Sequence, residues 1–213
     1  YKSIVLALKM ANYLLPVPKP ILLTGKDSSL QLVPLIEGAK FRRVMIVTDK
    51  VLIQLGVLTD LQEALASRGV EFQIFDDILP DPTDEIIEQG VEQAKRTRCE
   101  AVLAVGGGSV IDAAKMIAVL ATKNRTLASC GGLLRVWRRG LPLYAVPTTA
   151  GTGSEATMVA VVTQAQSHRK VPVISPVLVP KVAALDPKLL VPLPPAITAA
   201  TGMDALTHAI EAY

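Results

Sequence analysis

The sequence has little of what a nucleic-acid-binding protein needs. Its formal net charge is only +3 over 213 residues, and it contains three Phe, one Trp and four Tyr. Proteins that bind nucleic acid use many cations for the phosphates and aromatic rings for the bases. The densest basic stretch, residues 135–139, is interrupted by Val136 and Trp137 and is interpreted as a solvated turn. We therefore expect no nucleic-acid partner.

Cysteines and long apolar runs are also scarce. Cys99 and Cys130 have neither CxxC spacing nor a partner pattern, which favours reduced thiols in a cytoplasmic protein. No apolar run approaches the roughly 20 residues that span a bilayer, and the start lacks a secretory signal pattern, so no membrane partner is expected. The chain begins at Tyr1 rather than Met and ends at Tyr213 within a helical pattern. Both ends are interpreted as cuts.

What is present is an alternation of strand and helix patterns in a chain that is 50% apolar and 19% charged, a globular balance. Strands are predicted at 44–47, 71–75 and 101–105, each followed by a helix, at 58–67, 84–98 and 110–121. Later strand candidates are 143–146, 158–163 and 181–185, with a polar hairpin tip at 164–170. The first ~25 residues are interpreted as a segment with an extended strand that pairs late. This order predicts a doubly wound, Rossmann-like parallel sheet of the α/β class.

The sequence pattern changes from alternating strands and helices to a single helix near the C-terminal end. Pro194 and Pro195 stand where helices begin, and residues 196–213 have the pattern of one helix. We place a domain boundary near Pro192. Residues 1–191 would form a dinucleotide-binding α/β domain, and 192–213 the first helix of an all-helical second domain.

The sharpest local motif is the run Gly-Gly-Gly-Ser-Val-Ile-Asp at 106–112, which follows a strand and opens a helix. Glycines let the backbone approach an anion, and free N–H groups at the helix start donate to it. Ser109 can cap this helix and also bond a phosphate oxygen. Ile111 stands where the GxGxxG fingerprint has its third glycine, so the motif predicts a phosphate site of another kind. The alternative is a tight strand-to-helix turn without a ligand.

Two further segments follow predicted strands. Asp49 ends the strand at 44–47, where an acid can accept hydrogen bonds from ribose hydroxyls and repel a 2′-phosphate. The alternative role for Asp49 is that of a helix N-cap or a turn residue. The loop at 147–155 offers several hydroxyls and exposed N–H groups that can wrap a pyrophosphate or a nicotinamide ribose; the alternative is a simple Gly/Thr-rich turn.

Asp204 and His208 lie four residues apart on the predicted last helix, so both side chains project from one face. An oxygen and an imidazole nitrogen at this spacing form half of a divalent metal site. The alternative is a surface carboxylate–histidine pair. The other histidine, His168, lies in the polar hairpin and is expected to be exposed and unconnected.

Together these segments resemble the iron-containing, or group III, alcohol dehydrogenase family. The resemblance is carried by GGGSVIDAAK at 106–115, PTTAGTGSEAT at 147–157, the segment 186–213 and VTDK at 47–50, and it extends from about residue 20. For the cofactor, the resemblance implies that Asp49 lies near the adenosine ribose and Lys170 near the nicotinamide-side ribose. It implies that the pyrophosphate is contacted by Gly107, Gly108 and Ser109, with the acid Asp112 in the same motif, and that adenine and the phosphates are surrounded by Thr148, Thr149 and Thr152. It also implies that the first two metal ligands are Asp204 and His208.

The resemblance implies an oxidoreductase that transfers a hydride between NAD(H) and a small alcohol, aldehyde or ketone, with a divalent metal as Lewis acid. NAD is favoured over NADP, and Fe²⁺ is the expected metal, with Zn²⁺ as the alternative. The family's two further histidine ligands come from a helical domain beyond residue 213, so we expect this chain alone to be inactive. No catalytic side chain beyond the metal ligands is evident. A homo-oligomer is an open expectation.

Two other functions stay open from the sequence. One is a non-catalytic nucleotide-binding protein that ends near residue 213. The other is a zinc enzyme similar to glycerol dehydrogenase or dehydroquinate synthase, which have related architectures. The stretch TGMDALTHAIEAY at 201–213 favours the iron-containing branch.

Overall fold

The structure is a computed structural model that describes residues 18–123 and 126–212. Within them the strands are β1 (Ile21–Thr24), β2 (Arg43–Val47), β3 (Glu71–Phe75), β4 (Ala101–Gly106), β5 (Gly132–Leu133), β6 (Leu143–Pro147), β7 (Val159–Thr163), β8 (Lys170–Ile174) and β9 (Val182–Leu185). The α-helices are α1 (Leu32–Gly38), α2 (Lys50–Gln54), α3 (Thr59–Ser67), α4 (Asp84–Arg96), α5 (Gly108–Leu120) and α6 (Pro195–Ala212).

Six strands form one sheet in the order β1-β9-β6-β4-β2-β3, and every neighbouring pair is parallel. The central strands β4 and β6 are buried along their whole length. Parallel strands covered on both faces read as continuous apolar runs, which is why the sequence locates them well. The predicted doubly wound α/β sheet is confirmed, and the extended segment expected to pair late is β1, which pairs with β9.

Alternate residues of the sheet face two separate cores, because successive side chains of a strand point to opposite faces. On β2, Met45 and Val47 belong to the core beneath α4 and α5. Val44 and Ile46 belong to the core beneath α1 and α3. Each face is thus covered by helices, and loops are left to form the sheet's two ends.

The two ends of helix α4 were predictable because residues with a capping or charge-stabilising role stand at both of them. The Thr83 hydroxyl accepts a hydrogen bond from the backbone N–H of Ile86, and Asp84 and Glu85 occupy the first turn. Lys95 and Arg96 occupy the last turn. These charges complement the helix dipole at both ends, although the helix ends two residues before the predicted limit.

A second, three-stranded sheet lies apart from the first in the order β5-β8-β7. Its antiparallel pair, β7 and β8, is the predicted hairpin. The short β5 strand was not predicted, since two residues are too few for a periodic pattern. This small sheet packs against α5 through buried residues such as Ala160, Val162 and Val173.

Helix α6 matches the predicted last helix but differs from the others in its packing, since none of its residues is buried. Met203, Leu206 and Ile210 are 61%, 51% and 67% exposed. The proposed boundary near Pro192 precedes this helix. Among the described residues, no helix has the length and apolar character needed to cross a membrane.

Candidate functional site

The predicted cofactor segments follow three strands that are neighbours in the sheet. Asp49 follows β2, Gly107 follows β4 and Thr148 follows β6, and the sheet order places β4 between the other two. Because the three strands are parallel, these segments meet at one edge of the sheet, the carboxyl edge, where ligands bind in open α/β sheets.

The glycine motif forms a sharp turn from β4 into α5. Gly107 is the N-cap residue of the helix. Its carbonyl accepts a hydrogen bond from the backbone N–H of Ile111. The preceding N–H groups at the start of a helix lack intrahelical partners and favour an anion. Ser109 was predicted to cap this helix, and that prediction is wrong. The chain turns two residues earlier, so Ser109 already lies inside the first turn and no side chain caps the helix.

The glycines are needed because a second loop, residues 148–154, lies against them. A Cβ atom on Gly107 would lie 3.2 Å from the Thr149 hydroxyl oxygen, and one on Gly108 would lie 2.8 Å from Cγ2 of Thr152. The backbone N–H of Thr148 also donates to the carbonyl of Gly106 over 3.1 Å. The structure therefore brings the predicted phosphate residues and the predicted threonines into direct contact.

Asp49 acts as a helix N-cap, the alternative role that its position in the sequence also allows. One carboxylate oxygen, Oδ1, accepts a hydrogen bond of 3.0 Å from the N–H of Leu52 and caps helix α2. The other oxygen makes no hydrogen bond to residues 18–123 or 126–212. A capping role and a ribose contact through Oδ2 are compatible, since a carboxylate has acceptor positions on both oxygens.

Asp112 is held by protein groups rather than facing open space. Its Oδ1 accepts a short hydrogen bond from the Ser154 hydroxyl, and its Oδ2 accepts one of 2.9 Å from the N–H of Val161. The nearby Lys115 ammonium lies 3.7 Å from Oδ1. Asp112 thus ties α5 to the segment that follows the threonine loop.

Lys115 is a fully buried cation on the same helix. Burial lowers its pKa to about 8, against the opposing effect of the carboxylates of Asp112 and Glu155. Sequence reasoning missed this residue, Ser154 and Gly151. The available signal for Lys115 was a lysine three residues after an aspartate in a helix that is otherwise apolar.

Lys170 is the predicted cofactor residue that the structure does not join to the others. It lies at the start of β8, and its ammonium forms an ion pair of 2.7 Å with Asp81. Both side chains are largely exposed, so the pair is weak in water.

The predicted metal half-site lies on helix α6, beside the threonine loop. Nδ1 of His208 lies 3.1 Å from the carbonyl oxygen of Gly151, and Nε2 lies 3.8 Å from Oδ1 of Asp204. When Nδ1 donates its proton to this carbonyl, Nε2 is left with a free lone pair on the side of the carboxylate. A hydrogen bond from the other ring nitrogen to a backbone carbonyl orients histidine ligands in metal sites.

The spacing of these two donors fits a shared divalent ion. Ligands about 2.1 Å from one ion in tetrahedral geometry lie about 3.4 Å apart, close to the observed 3.8 Å between Nε2 of His208 and Oδ1 of Asp204. Both side chains are about half exposed, which leaves room for further ligands. In the described ranges, no group of three or more His, Cys, Asp or Glu residues is arranged so that it could hold a metal ion.

His168 is placed as expected, exposed in the hairpin. Its backbone is left-handed, with φ of 52°, and its N–H donates to the carbonyl of Gln164. Its role in the fold is that of a turn residue.

The fold and these contacts define a class: a parallel, Rossmann-like α/β protein with a glycine-rich helix start at the carboxyl edge of its sheet. A profile of iron-containing alcohol dehydrogenases matches residues 19–187. The chain belongs to this family, as its sequence motifs indicated.

Relatives support the same assignment. The chain is 38% identical over 191 residues to alcohol dehydrogenase 4 of Schizosaccharomyces pombe, covering 90% of this chain and 45% of that protein. It is 36% identical over 204 residues to the NAD-dependent methanol dehydrogenase of Bacillus methanolicus, covering 96% and 53%. The crystal structure of sulfoacetaldehyde reductase from Bifidobacterium kashiwanohense in complex with NAD⁺ superposes with a TM-score of 0.84 at 33% identity, covering 92% and 52%. The chain thus spans about half the length of these relatives.

Proposed function

We propose that the protein transfers a hydride between NAD(H) and a small alcohol, aldehyde or ketone, with a divalent metal, Fe²⁺ by family, as Lewis acid. The observation that carries the proposal is the loop 148–154. Its threonines lie against Gly107 and Gly108, and its Gly151 carbonyl lies against His208. One short segment therefore links the predicted dinucleotide site to the predicted metal half-site.

The dinucleotide half of the proposal rests on the start of α5 and its neighbours. The N–H groups of Gly108 and Ser109 would donate to the pyrophosphate, with the hydroxyls of Thr149 and Thr152 beside them. Asp49 would accept from the adenosine ribose through its second carboxylate oxygen. A negative charge at that position opposes a 2′-phosphate, so NAD is favoured over NADP.

The metal half rests on Asp204 and His208. When bound, the metal supplies a Lewis acid for the substrate oxygen, and the nicotinamide supplies the hydride acceptor or donor. The part of the chain itself is to hold ligands in place. The carbonyl of Gly151 orients the His208 ring, and the i, i+4 spacing on α6 keeps the Asp204 carboxylate beside Nε2. Zn²⁺ is the alternative metal.

Several other features of the whole protein belong to this proposal. Residues 192–213 would begin a second, helical domain that packs against the exposed apolar face of α6 and, on family grounds, supplies further metal ligands. Lys170 would leave Asp81 to reach the nicotinamide-side ribose. A cytoplasmic location is in keeping with two buried free thiols, Cys99 and Cys130. A homo-oligomer is proposed on family grounds alone.

Two measurements test the proposal. NADH titration, followed by the fluorescence of the reduced nicotinamide, should show saturable binding that NADPH matches only weakly. The protein at its native length, loaded with Fe²⁺ or with Zn²⁺, should reduce NAD⁺ in the presence of simple primary alcohols. Absence of NADH binding would contradict the dinucleotide half, whereas metal-independent turnover would contradict the metal half.

The non-catalytic alternative is decided by the intact mass of the protein from its native source. A mass near 22.6 kDa together with NADH binding and no turnover would favour a nucleotide-binding protein. A mass near that of a two-domain chain favours the dehydrogenase.

A further inference from the structure

Lys115 is a buried cation that the proposed chemistry does not use. Its side chain has no exposed surface, and it points from α5 into the segment that follows the threonine loop. Its ammonium donates to the carbonyl of Val159 over 2.6 Å, to the carbonyl and hydroxyl of Thr157 over 3.1 and 3.2 Å, and to the hydroxyl of Ser154 over 3.3 Å.

Fixing a charge here is costly, and the helix has no need of it for packing. Ten residues of α5 are buried, and apart from Lys115 all of them are apolar. An apolar side chain of similar volume would avoid the desolvation penalty of an ammonium. What an apolar side chain cannot do is hold several backbone and hydroxyl oxygens of one segment at fixed distances, with Asp112 balancing the charge.

The contacts continue from Lys115 to the start of the helix. Ser154 shares its hydroxyl with Lys115 and Asp112. Its backbone N–H donates to the hydroxyl of Thr152 over 3.3 Å. The methyl group of Thr152 in turn lies against Gly108, so closely that a Cβ atom added to Gly108 would be only 2.8 Å from it. A continuous set of contacts thus leads from the buried ammonium to the anion-binding end of α5.

We propose that Lys115 is a positioning residue of the dinucleotide site: by fastening residues 154–159 to α5 it holds Thr152 beside Gly108, in the geometry that receives the pyrophosphate. The role rests on the proposed NAD(H) function. Lys115 acts through Thr152 and does not touch the cofactor.

The first test compares NADH dissociation constants of the wild type and Lys115→Met, which keeps an unbranched side chain that is one atom shorter and removes the N–H donors. The variant should bind NADH about tenfold or more weakly, since an interaction worth about 1.4 kcal/mol corresponds to a factor of ten. The matched control is Ile117→Ala on the same helix, whose side chain faces Gly90 of α4. It should lower the melting temperature and leave NADH affinity within about twofold.

A double-mutant cycle separates positioning from general destabilisation. If Lys115 acts through Thr152, then Lys115→Met combined with Thr152→Val should bind NADH no more weakly than the worse single variant. Additive losses would overturn the proposal, as would a folded Lys115→Met protein with wild-type affinity. Should Lys115→Met not fold, Lys115→Gln, whose shorter side chain has two N–H donors and no charge, should still bind NADH more weakly than the wild type, by a smaller factor, and wild-type affinity would overturn the proposal.

Failure of the proposed function is seen separately, in the wild type. A wild-type protein that binds no NADH refutes the NAD(H) function itself. A wild type that binds, with a Lys115→Met variant that binds equally well, refutes only the positioning role.

Discussion

The contact between the threonine loop and helix α6 depends on one glycine, and replacing Gly151 by alanine should break it. The residue has φ of +120°, and an added Cβ would lie 2.6 Å from the carbonyl oxygen of Thr201 and 2.7 Å from Oδ2 of Asp204. Backbone atoms do not yield as flexible side chains do. Helix α6 would have to move by about 0.8 Å to restore ordinary contact distances of about 3.4 Å.

The magnitude follows from two contributions. Forcing a residue with a side chain into this region of φ costs about 1–3 kcal/mol. Moving the helix also weakens the hydrogen bond between Gly151 and His208, worth about 0.5–1.5 kcal/mol. Because α6 buries no residue completely, detaching the helix releases the steric strain at little cost in apolar burial. The rest of the fold should keep its stability.

The assay is hydrogen exchange across residues 195–212 of the 213-residue chain. A helix detached from the rest of the protein loses tertiary support and frays more readily. Its amides should therefore exchange about tenfold faster in Gly151→Ala for each 1.4 kcal/mol of strain. Thermal unfolding of the sheet should shift by no more than a few degrees.

The control is another glycine of the same loop. Gly153 also has a positive φ, +61°, but a Cβ there meets nothing within 4 Å. Gly153→Ala should carry backbone strain alone, about 1–2 kcal/mol, and leave the exchange of α6 unchanged. Equal exchange in the two variants would refute the steric argument.

Three further outcomes are expected. Asp49→Ser should raise NADPH affinity relative to NADH while retaining the helix cap, and an unchanged ratio of the two affinities would remove Asp49 from the ribose site. In the protein at its native length, His208→Ala should abolish turnover with NADH affinity retained, whereas His168→Ala should leave both intact. Folding lowers the pKa of Lys115 from 10.5 to about 8, so between pH 8 and 10.5 the unfolded chain binds more protons than the folded protein. The free energy of unfolding should therefore rise with pH, by about 1 kcal/mol from pH 8 to 9. Burial raises the pKa of Cys99 from 9.0 to about 11, which lowers the free energy of unfolding as the pH rises above 9. The pH dependence of unfolding should therefore be compared between the wild type and Lys115→Met, and the variant should lack the rise that Lys115 causes.

Most of the fold followed from the sequence because its main signals are local. Continuous apolar runs located the buried parallel strands such as β4, and the capping and charged residues at each end of α4 lie within one turn of that end. The capping role predicted for Ser109 was wrong for the opposite reason, because that turn has contacts with a distant segment. Gly107, the N-cap residue, and Gly108 lie against Thr149 and Thr152, which are some forty positions further along the chain.

The site was harder to predict because its contacts join distant segments. The residue types and motifs indicated a phosphate site and a metal half-site separately. The spacing of Asp204 and His208 does not predict that the carbonyl of Gly151 accepts a hydrogen bond from the imidazole, because Gly151 and His208 are more than fifty positions apart. A buried lysine in α5 is likewise visible in sequence, but its acceptors on β7 and the preceding loop are not.

The same distant contacts explain why the loop 148–154 is rich in small residues. It must approach the start of α5 closely enough that Gly108 cannot carry a Cβ, and approach α6 closely enough that Gly151 cannot. A larger side chain at either position would separate the loop from one partner and leave the other contact intact. The predicted consequence is that substitutions at Gly108 weaken NADH binding while substitutions at Gly151 disturb the metal half-site, and that the two losses are separable. A substitution at either glycine that abolished both functions equally would mean that the loop moves as one rigid unit, and that dinucleotide and metal sites are coupled rather than merely adjacent.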